Sequence, residues 1–393
     1  MDLRTTFAGV EFKNPIVTSA GSLGAQVASL ERSVKAGAGA VTVKTPSLDK
    51  DNIKHPRPAH KFLRQYNTPR MMINWESFTI SIDEALELVK RIKPVAKKHD
   101  CRLIASLGVD YYAMDHPAEF SMAAKQLEKN GAEILEIIAF CPFYIKTSAE
   151  ELDLNERAIN TTSKAAKEAV QIPVIEKVAY EYNTYFLSVT GALKQIGVKN
   201  LHVFTRTRGA IIDIETMESI CPGPQTLFYG ELRKSGTNRA VALASDIGGF
   251  ELMSSGGLWT ATDCLERMMC GAKLVAIHTA LQYYGHKLIG ELADGISKYL
   301  DRKRLTLDDI VGVAVPSVVK PEGYTAFIEE RSVPKEALDI VVDAEKCNGC
   351  GICTKCINGA FRIENEKAII NLDLCERCGI CESMCPTGAI TIS

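Results

Sequence analysis

The sequence predicts an α/β protein in two parts, a (β/α)8 barrel followed by a small cysteine-held domain, and three observations carry this. Eight short, apolar, β-branched segments recur near residues 15–20, 40–45, 102–108, 134–140, 173–179, 200–205, 250–255 and 274–279. Stretches with apolar residues at helical spacing lie between them, among them 82–98, 117–130, 155–170 and 185–196. Strict alternation of strand and helix through eight strands favours a closed parallel barrel over an open sheet. The third observation is the C-terminal end, where residues 347–385 hold eight of the chain's 13 cysteines.

Those cysteines read Cys347-x2-Cys350-x2-Cys353-x2-Cys356 and Cys375-x2-Cys378-x2-Cys381-x3-Cys385-Pro386. Thiolates two residues apart on Gly-containing turns converge on one cubane, and a more distant fourth cysteine closes the other, so the two halves interleave. Cys347, Cys350, Cys353 and Cys385 are thus expected to bind one [4Fe-4S] cluster, and Cys375, Cys378, Cys381 and Cys356 a second. A zinc ribbon would use two cysteine pairs across a longer loop, not two triplets each followed by a fourth. One departure from the bacterial ferredoxin spacing stands out: Cys353 and Cys356 are two residues apart instead of three, and Ile357 follows where proline is usual. The stretch 356–363 is echoed by 385–392, as in a duplicated ferredoxin-like fold held together by its clusters.

The domains expected are a barrel over 1–315, a Pro- and Glu-bearing linker over 316–340, and a ferredoxin-like domain over 341–393. A hydrophobic content of 46% suffices for a large core. With 46 basic residues against 48 acidic ones there is no one-signed field, and no basic stretch interleaved with aromatics, so nucleic acid is not expected as a partner. The N-terminus lacks an apolar segment, and no run approaches the ~18 apolar residues of a membrane span. A cytoplasmic protein is expected, and clusters of this kind point to an oxygen-poor host.

Barrel chemistry belongs at the carboxyl ends of the strands. Here those ends read Ala20-Gly21-Ser22, Lys44-Thr45, Cys141-Pro142, Lys177, Thr205-Arg206-Thr207-Arg208, Ser255-Gly256-Gly257 and His278-Thr279. Ser255, Gly256 and Gly257 after strand seven, with Thr279 after strand eight, suit a phosphate, because backbone without side chains lets N–H groups approach it. Ser235-Gly236-Thr237, placed before the neighbouring helix, would add donors. Lys177 must bury its stem in the barrel wall, which is costly without a counter-charge. A cofactor's anion, such as that of a reduced flavin, is the partner expected. Lys44 would serve similarly, or is a surface lysine at a strand end. Cys141 becomes a proton donor at such a site, whereas Cys101, Cys221, Cys264 and Cys270 read as structural. The connection over 46–101 is long and carries Pro46, Pro56, Pro58 and Pro69, as in a lid over a site.

Lys44-Thr-Pro-Ser-Leu-Asp-Lys-Asp51, Ile73-Asn74-Trp75-Glu76 and Cys141-Pro142 resemble the flavin and pyrimidine portion of dihydropyrimidine dehydrogenase, which groups with the dihydroorotate dehydrogenases. The resemblance spans nearly the whole chain. It implies FMN in the barrel, with Ala20, Gly21, Lys44, Thr45, Lys177, Gly236, Ser255, Gly256, Gly257, His278 and Thr279 around it. It also implies Cys141 as general acid and base, Asn74 and Lys177 beside the reacting atoms, a dimer or hetero-oligomer, and electrons from an NAD(P)H- and FAD-binding reductase subunit or a ferredoxin-type partner. Where the family reads pyrimidine with asparagines, this chain has Ile138-Ala139-Phe140-Cys141-Pro142-Phe143, and Arg206 stands at or beside another. Lost amides leave the ring's polar edge unsatisfied. The pocket expected is more apolar, with Arg206 as a cation, for an unsaturated carboxylate or thioester or an acidic ring. Arg206 and Arg208 paired at the surface are the alternative.

The reaction expected is reduction, or formation, of a carbonyl-conjugated C=C bond, by hydride transfer at flavin N5 and proton transfer at Cys141. An electron-transfer subunit with a non-catalytic barrel is the rival, and a non-redox phosphate-binding barrel is a third reading.

Overall fold

The computed structural model describes residues 2–53, 60–62, 71–74, 79–109, 111–138, 157–179, 183–204, 210–220, 227–332, 334 and 337–392. The chain divides into two compact units, Met1–Lys320 and Pro321–Ser393. In the first, eight parallel strands close into a barrel in sequence order. Strands one to eight are Ile16–Thr18, Ala40–Val43, Arg102–Gly108, Ile134–Ile138, Val174–Ala179, Asn200–Phe204, Glu251–Ser255 and Ala272–Ile277. Each falls on one of the apolar segments read from the sequence. Strands walled by helices outside and by side chains inside are buried on both faces, so they appear as continuous apolar runs.

The barrel's interior has two levels. At the lower one, Val17, Ile104, Ile134, Ile175, Met253 and Leu274 pack against Phe7 and Phe12, both fully buried. Those two rings come from an N-terminal hairpin, Thr5–Phe7 with Val10–Phe12, whose tight turn puts Ala8 and Gly9 at positive φ. They meet edge to face, 6.5 Å apart. This plug closes the amino-terminal end with apolar surface. The upper level, toward the strand ends, is polar.

Helices cover the outer wall. Ile82–Lys98 starts on a capping box, in which the Ser81 hydroxyl accepts from Glu84 N and the Glu84 carboxylate accepts from Ser81 N. It buries Ala85, Leu88, Val89, Ile92 and Ala96 at helical spacing. The helix expected over 155–170 is interrupted, because Ile159–Ser163 is a π turn before the α-helix Lys164–Ala169. Thr161 and Thr162 hydroxyls donate to the carbonyls of Arg157 and Ala158 at 2.7 Å, competing with the backbone ladder. Ser163 is thereby turned inward.

The segment 316–340, expected as an irregular linker, carries helices. Val315–Val319 buries Val315, and Pro321–Arg331 follows. Pro316 lies in the first turn of one helix and Pro321 opens the other, positions where a missing N–H costs nothing. In the long connection after strand two, Met71–Asn74 forms the centre of a three-stranded sheet with His60–Phe62 and Leu227–Gly230. The rest of the expected lid, 54–59, 63–70 and 75–78, lies outside the described residues.

The second unit is built on short antiparallel pairs, Ile340–Val342 with Ile390–Ile392 and Phe361–Glu364 with Lys367–Ile370. Ala360 and Phe361 are buried in one half, and Ala389 and Ile390 in the other, matching the repeat seen in the sequence.

Candidate active site

The upper level of the barrel interior is one hydrogen-bonded chain. Thr45 Oγ1 lies 2.9 Å from Ser106 Oγ, and Ser106 donates to Glu136 Oε1 at 3.1 Å. Ser106 has one proton, so Thr45 is the donor to it. Lys177 Nζ lies 3.4 Å from the same carboxylate oxygen. His202 Nδ1 bonds the other oxygen, and its Nε2 lies 2.8 Å from Ser255 Oγ at the end of strand seven. Glu136 and His202 are fully buried, and Lys177 is 7% exposed.

Burial pushes the Glu136 carboxyl up, but the Lys177 ammonium, His202 and the Ser106 hydroxyl outweigh it and hold the group down at about 2. Burial lowers the His202 imidazole against the pull of Glu136. An ionised carboxylate only accepts, so neutral His202 donates from Nδ1 to Glu136 and accepts at Nε2 from Ser255. Lys177 was expected to find its counter-charge in a cofactor. Its partner is Glu136, an acid placed one strand away by the barrel register, in which Ile138 pairs with Lys177. An ammonium has three donors, and Lys177 also lies 5.5 Å from the Phe204 ring.

The loop after strand seven forms a second element. Gly256 and Gly257 both take positive φ, and a methyl carbon at Gly257 would lie 2.6 Å from Lys234 N. Only glycine lets this loop press on the start of helix Lys234–Ile247. Gly236 lies inside that helix's first turn, not before it as the sequence reading had it. Behind the loop sits Arg267, fully buried on helix Ala261–Met269. Its guanidinium bonds Ser254 Oγ at 2.8 Å, Gly256 O at 2.9 Å and Ser255 O at 3.3 Å.

Strands one and eight meet as expected. A methyl carbon at Gly21 would fall 2.2 Å from the His278 ring, so Ala20-Gly21 lies directly against it. Ser22 Oγ is 3.4 Å from His278 Nε2 and accepts from Gln282 Nε2 at 2.9 Å. Thr279 opens the short helix Thr279–Tyr284. Lys44, half-buried at the end of strand two, donates its backbone N–H to Gly24 O at 3.0 Å. Asn74 ends its strand opposite Leu227 and His60. Cys141, Arg206 and Arg208 lie outside the described residues.

In the second unit, Cys347, Cys350, Cys353 and Cys385 line one cavity. Cys356, Cys375 and Cys381 pack in the same small core, and Cys378 is exposed. Backbone N–H groups of Ala368, Ala389 and Arg377 point at the sulfurs of Cys347, Cys385 and Cys375, at 3.4, 3.2 and 3.3 Å. Such donors favour thiolate ligands. In the barrel, Cys101 and Cys264 are buried, and burial pushes both thiols up to about 12, as inert core cysteines require. Burial likewise raises Cys270, and Cys221 lies outside the described residues.

Residues 2–300 match the family model for dihydroorotate dehydrogenase, and residues 368–391 match that for a 4Fe-4S binding domain. The chain belongs to the dihydroorotate dehydrogenase family. It is a flavin-dependent oxidoreductase of the kind that acts on CH–CH bonds, joined to a 4Fe-4S-binding segment. The dihydroorotate dehydrogenase B (NAD(+)) catalytic subunit of Methanocaldococcus jannaschii is 30% identical over 322 residues, covering 79% of this chain and 98% of that protein. The same subunit of Methanocella arvoryzae is 28% identical over 319 residues, covering 80% of this chain and 98% of its own. The NAD-dependent dihydropyrimidine dehydrogenase subunit PreA of Escherichia coli K12 is 23% identical over 415 residues, covering all of this chain and 95% of its own. Among the described residues, no helix is long and apolar enough to cross a membrane.

The described residues fit a phosphorylated flavin. A buried cation, Lys177, lies in the upper half of strand five, and a glycine loop too tight for a Cβ at Gly257 meets a helix start. The sequence reading missed Ser106, Glu136, His202 and Arg267. The signal for two of them was visible, an acid inside Ile134-Leu-Glu-Ile-Ile138 and an imidazole inside Leu201-His-Val203. Charged or titratable groups in strands buried on both faces need a partner inside the barrel.

Proposed function

We propose that this chain reduces a carbonyl-conjugated C=C bond, or forms one in reverse, with FMN in the barrel and two [4Fe-4S] clusters in the second unit. The observation that carries the reading is Lys177, a nearly buried ammonium in the C-terminal half of strand five, tethered to Glu136. When bound, flavin supplies two-electron hydride chemistry. The chain's own residues do the rest. Lys177 and Lys44 stabilise negative charge beside the flavin ring, with Ala20, Gly21 and Thr45 at its edges. Ser255, Gly256, Gly257, Gly236, His278 and Thr279 surround its phosphate side. Cys141 delivers the proton to the α-carbon as the β-carbon gains hydride. Asn74, Lys177 and Arg206 hold the carbonyl or carboxylate whose oxygen gains charge.

Loss of the family's amide-bearing motif around Phe140-Cys141-Pro142-Phe143 favours an unsaturated carboxylate, a thioester or an acidic ring over uracil. Electrons come from a separate NAD(P)H- and FAD-binding reductase subunit or a ferredoxin-type donor, in an oxygen-poor cytoplasm. The relatives' names, a catalytic subunit and a subunit both tied to NAD, support a multi-subunit arrangement. The same motif loss also supports a second reading, an electron-transfer subunit whose barrel turns nothing over.

The test is Cys141→Ala in the cluster-loaded chain. Turnover should fall by about 10²–10⁴-fold while the flavin is still reduced through the clusters. Unchanged turnover would remove Cys141 from the mechanism.

A further inference from the structure

Arg267 is a fully buried arginine whose guanidinium has, among the described residues, no carboxylate acceptor. Burial holds it down at about 10, still protonated at neutral pH. Its five donors are spent on a single locality. Nη1 bonds Ser254 Oγ at 2.8 Å and Ser255 O at 3.3 Å, while Nη2 bonds Gly256 O at 2.9 Å and Lys234 O at 3.4 Å. Nε is anchored by Asn238 Oδ1 at 2.6 Å. Three of these acceptors are backbone carbonyls, two from the glycine loop after strand seven and one from the first residue of helix Lys234–Ile247. The helix carrying Arg267 is itself fixed by a capping box between Thr260 and Asp263, and Asp263 also holds Lys234 Nζ at 3.0 Å.

A cation aimed at carbonyl oxygens orients peptide planes. With the oxygens of Ser255 and Gly256 drawn back toward the guanidinium, a ligand approaching from the barrel mouth meets the loop's N–H groups rather than its C=O dipoles. The same grip presses the loop onto the helix start, where Gly257 already lies too close to Lys234 for any side chain. A buried charge is costly to keep, and a purely structural tie would be met more cheaply by apolar packing. A charge held behind a loop also adds to the potential that an anion meets in front of it.

We propose that Arg267 is the positioning residue of the flavin's phosphate group, setting the loop's peptide planes without touching the ligand. The proposal rests on the flavin reading above, and it makes Arg267 a determinant of phosphorylated over unphosphorylated flavin.

The test is reconstitution of the flavin-depleted, full-length, cluster-loaded chain with FMN and, separately, with riboflavin, read by quenching of flavin fluorescence. Wild type should hold FMN more tightly than riboflavin. Arg267→Met, which keeps the volume, should weaken FMN by about tenfold or more, the scale of a lost charge-assisted hydrogen bond, and leave riboflavin within about threefold. Arg267→Lys should fall between. Asn238→Ala keeps the buried charge but frees Nε, so it should shift the ratio in the same direction by less, and it serves if Arg267→Met does not fold. Equal weakening of both flavins in Arg267→Lys and Asn238→Ala would mean a merely structural role and would overturn the proposal, as would an unchanged ratio. Wild type that binds neither flavin would instead sink the flavin reading itself.

Discussion

Glu136 and Glu176 sit in neighbouring strands, each fully buried, and burial pushes both carboxyls up, yet they end shifted in opposite directions. Glu136 faces the barrel interior, where Lys177 and His202 hold it ionised at about 2. Glu176 faces outward under the helices, where Ser163 donates to it at 2.9 Å, and burial pushes it up to about 8. Among the described residues its Oε2 has no hydrogen-bond partner and no cation is set against it, so nothing offsets the cost of burying its charge. The inner wall thus keeps separated charge, and the outer wall suppresses it. Burial alone does not make a site; counter-charges do.

The largest effects sharpen this comparison as a pair. Phe12→Ala, in the lower plug, and Glu136→Ala, in the upper network, should each cost about 3–5 kcal/mol of stability in chemical denaturation. Only Glu136→Ala should also release flavin, because it strands Lys177 without its tether. Flavin lost equally from both variants would erase the distinction between the two levels.

Next comes the pH dependence of the two acids. Glu136 titrates lower folded than unfolded, so its stabilisation is present above about pH 4.5 and is lost as pH falls toward about 2. Glu176 titrates higher when folded, so its contribution is complete below about pH 4.5 and is lost as pH rises through about 8. Between pH 5 and 8, Glu176→Gln should therefore flatten a decline in wild-type stability of about 2–4 kcal/mol. A decline that survives the substitution would place its origin elsewhere.

The smallest expected effect is at Thr42, whose buried hydroxyl in strand two has no hydrogen-bond partner among the described residues. Thr42→Val should leave the flavin-free chain unchanged or more stable by about 1 kcal/mol, read by thermal melting. A loss above that would mean the hydroxyl is satisfied in solution.

How much of this was readable beforehand divides along physical lines. All eight barrel strands were legible, because strands buried on both faces become apolar runs between amphipathic helices. The glycine loop after strand seven was legible, since Gly256-Gly257 advertises a backbone that side chains would block. The network was not, because Ser106, Glu136 and His202 become neighbours only through barrel register, across spacings of 30 and 66 residues. Arg267 looks like a solvent-facing residue of a short helix until the helix is docked. Pro316 and Pro321 belong to the segment expected as a Pro- and Glu-bearing linker, whereas each sits where a helix begins.

The central claim is that the barrel performs chemistry on a small unsaturated substrate, and one anaerobic experiment addresses it most directly. The cluster-loaded chain is reduced, and the visible flavin bands are followed on adding orotate, uracil and a panel of α,β-unsaturated carboxylates and thioesters. The account predicts that the bands return quickly with one of the acidic acceptors and slowly or not at all with uracil. Bands that never return with any acceptor, while an added electron-transfer protein restores them at once, would contradict it and leave the barrel an electron-transfer scaffold.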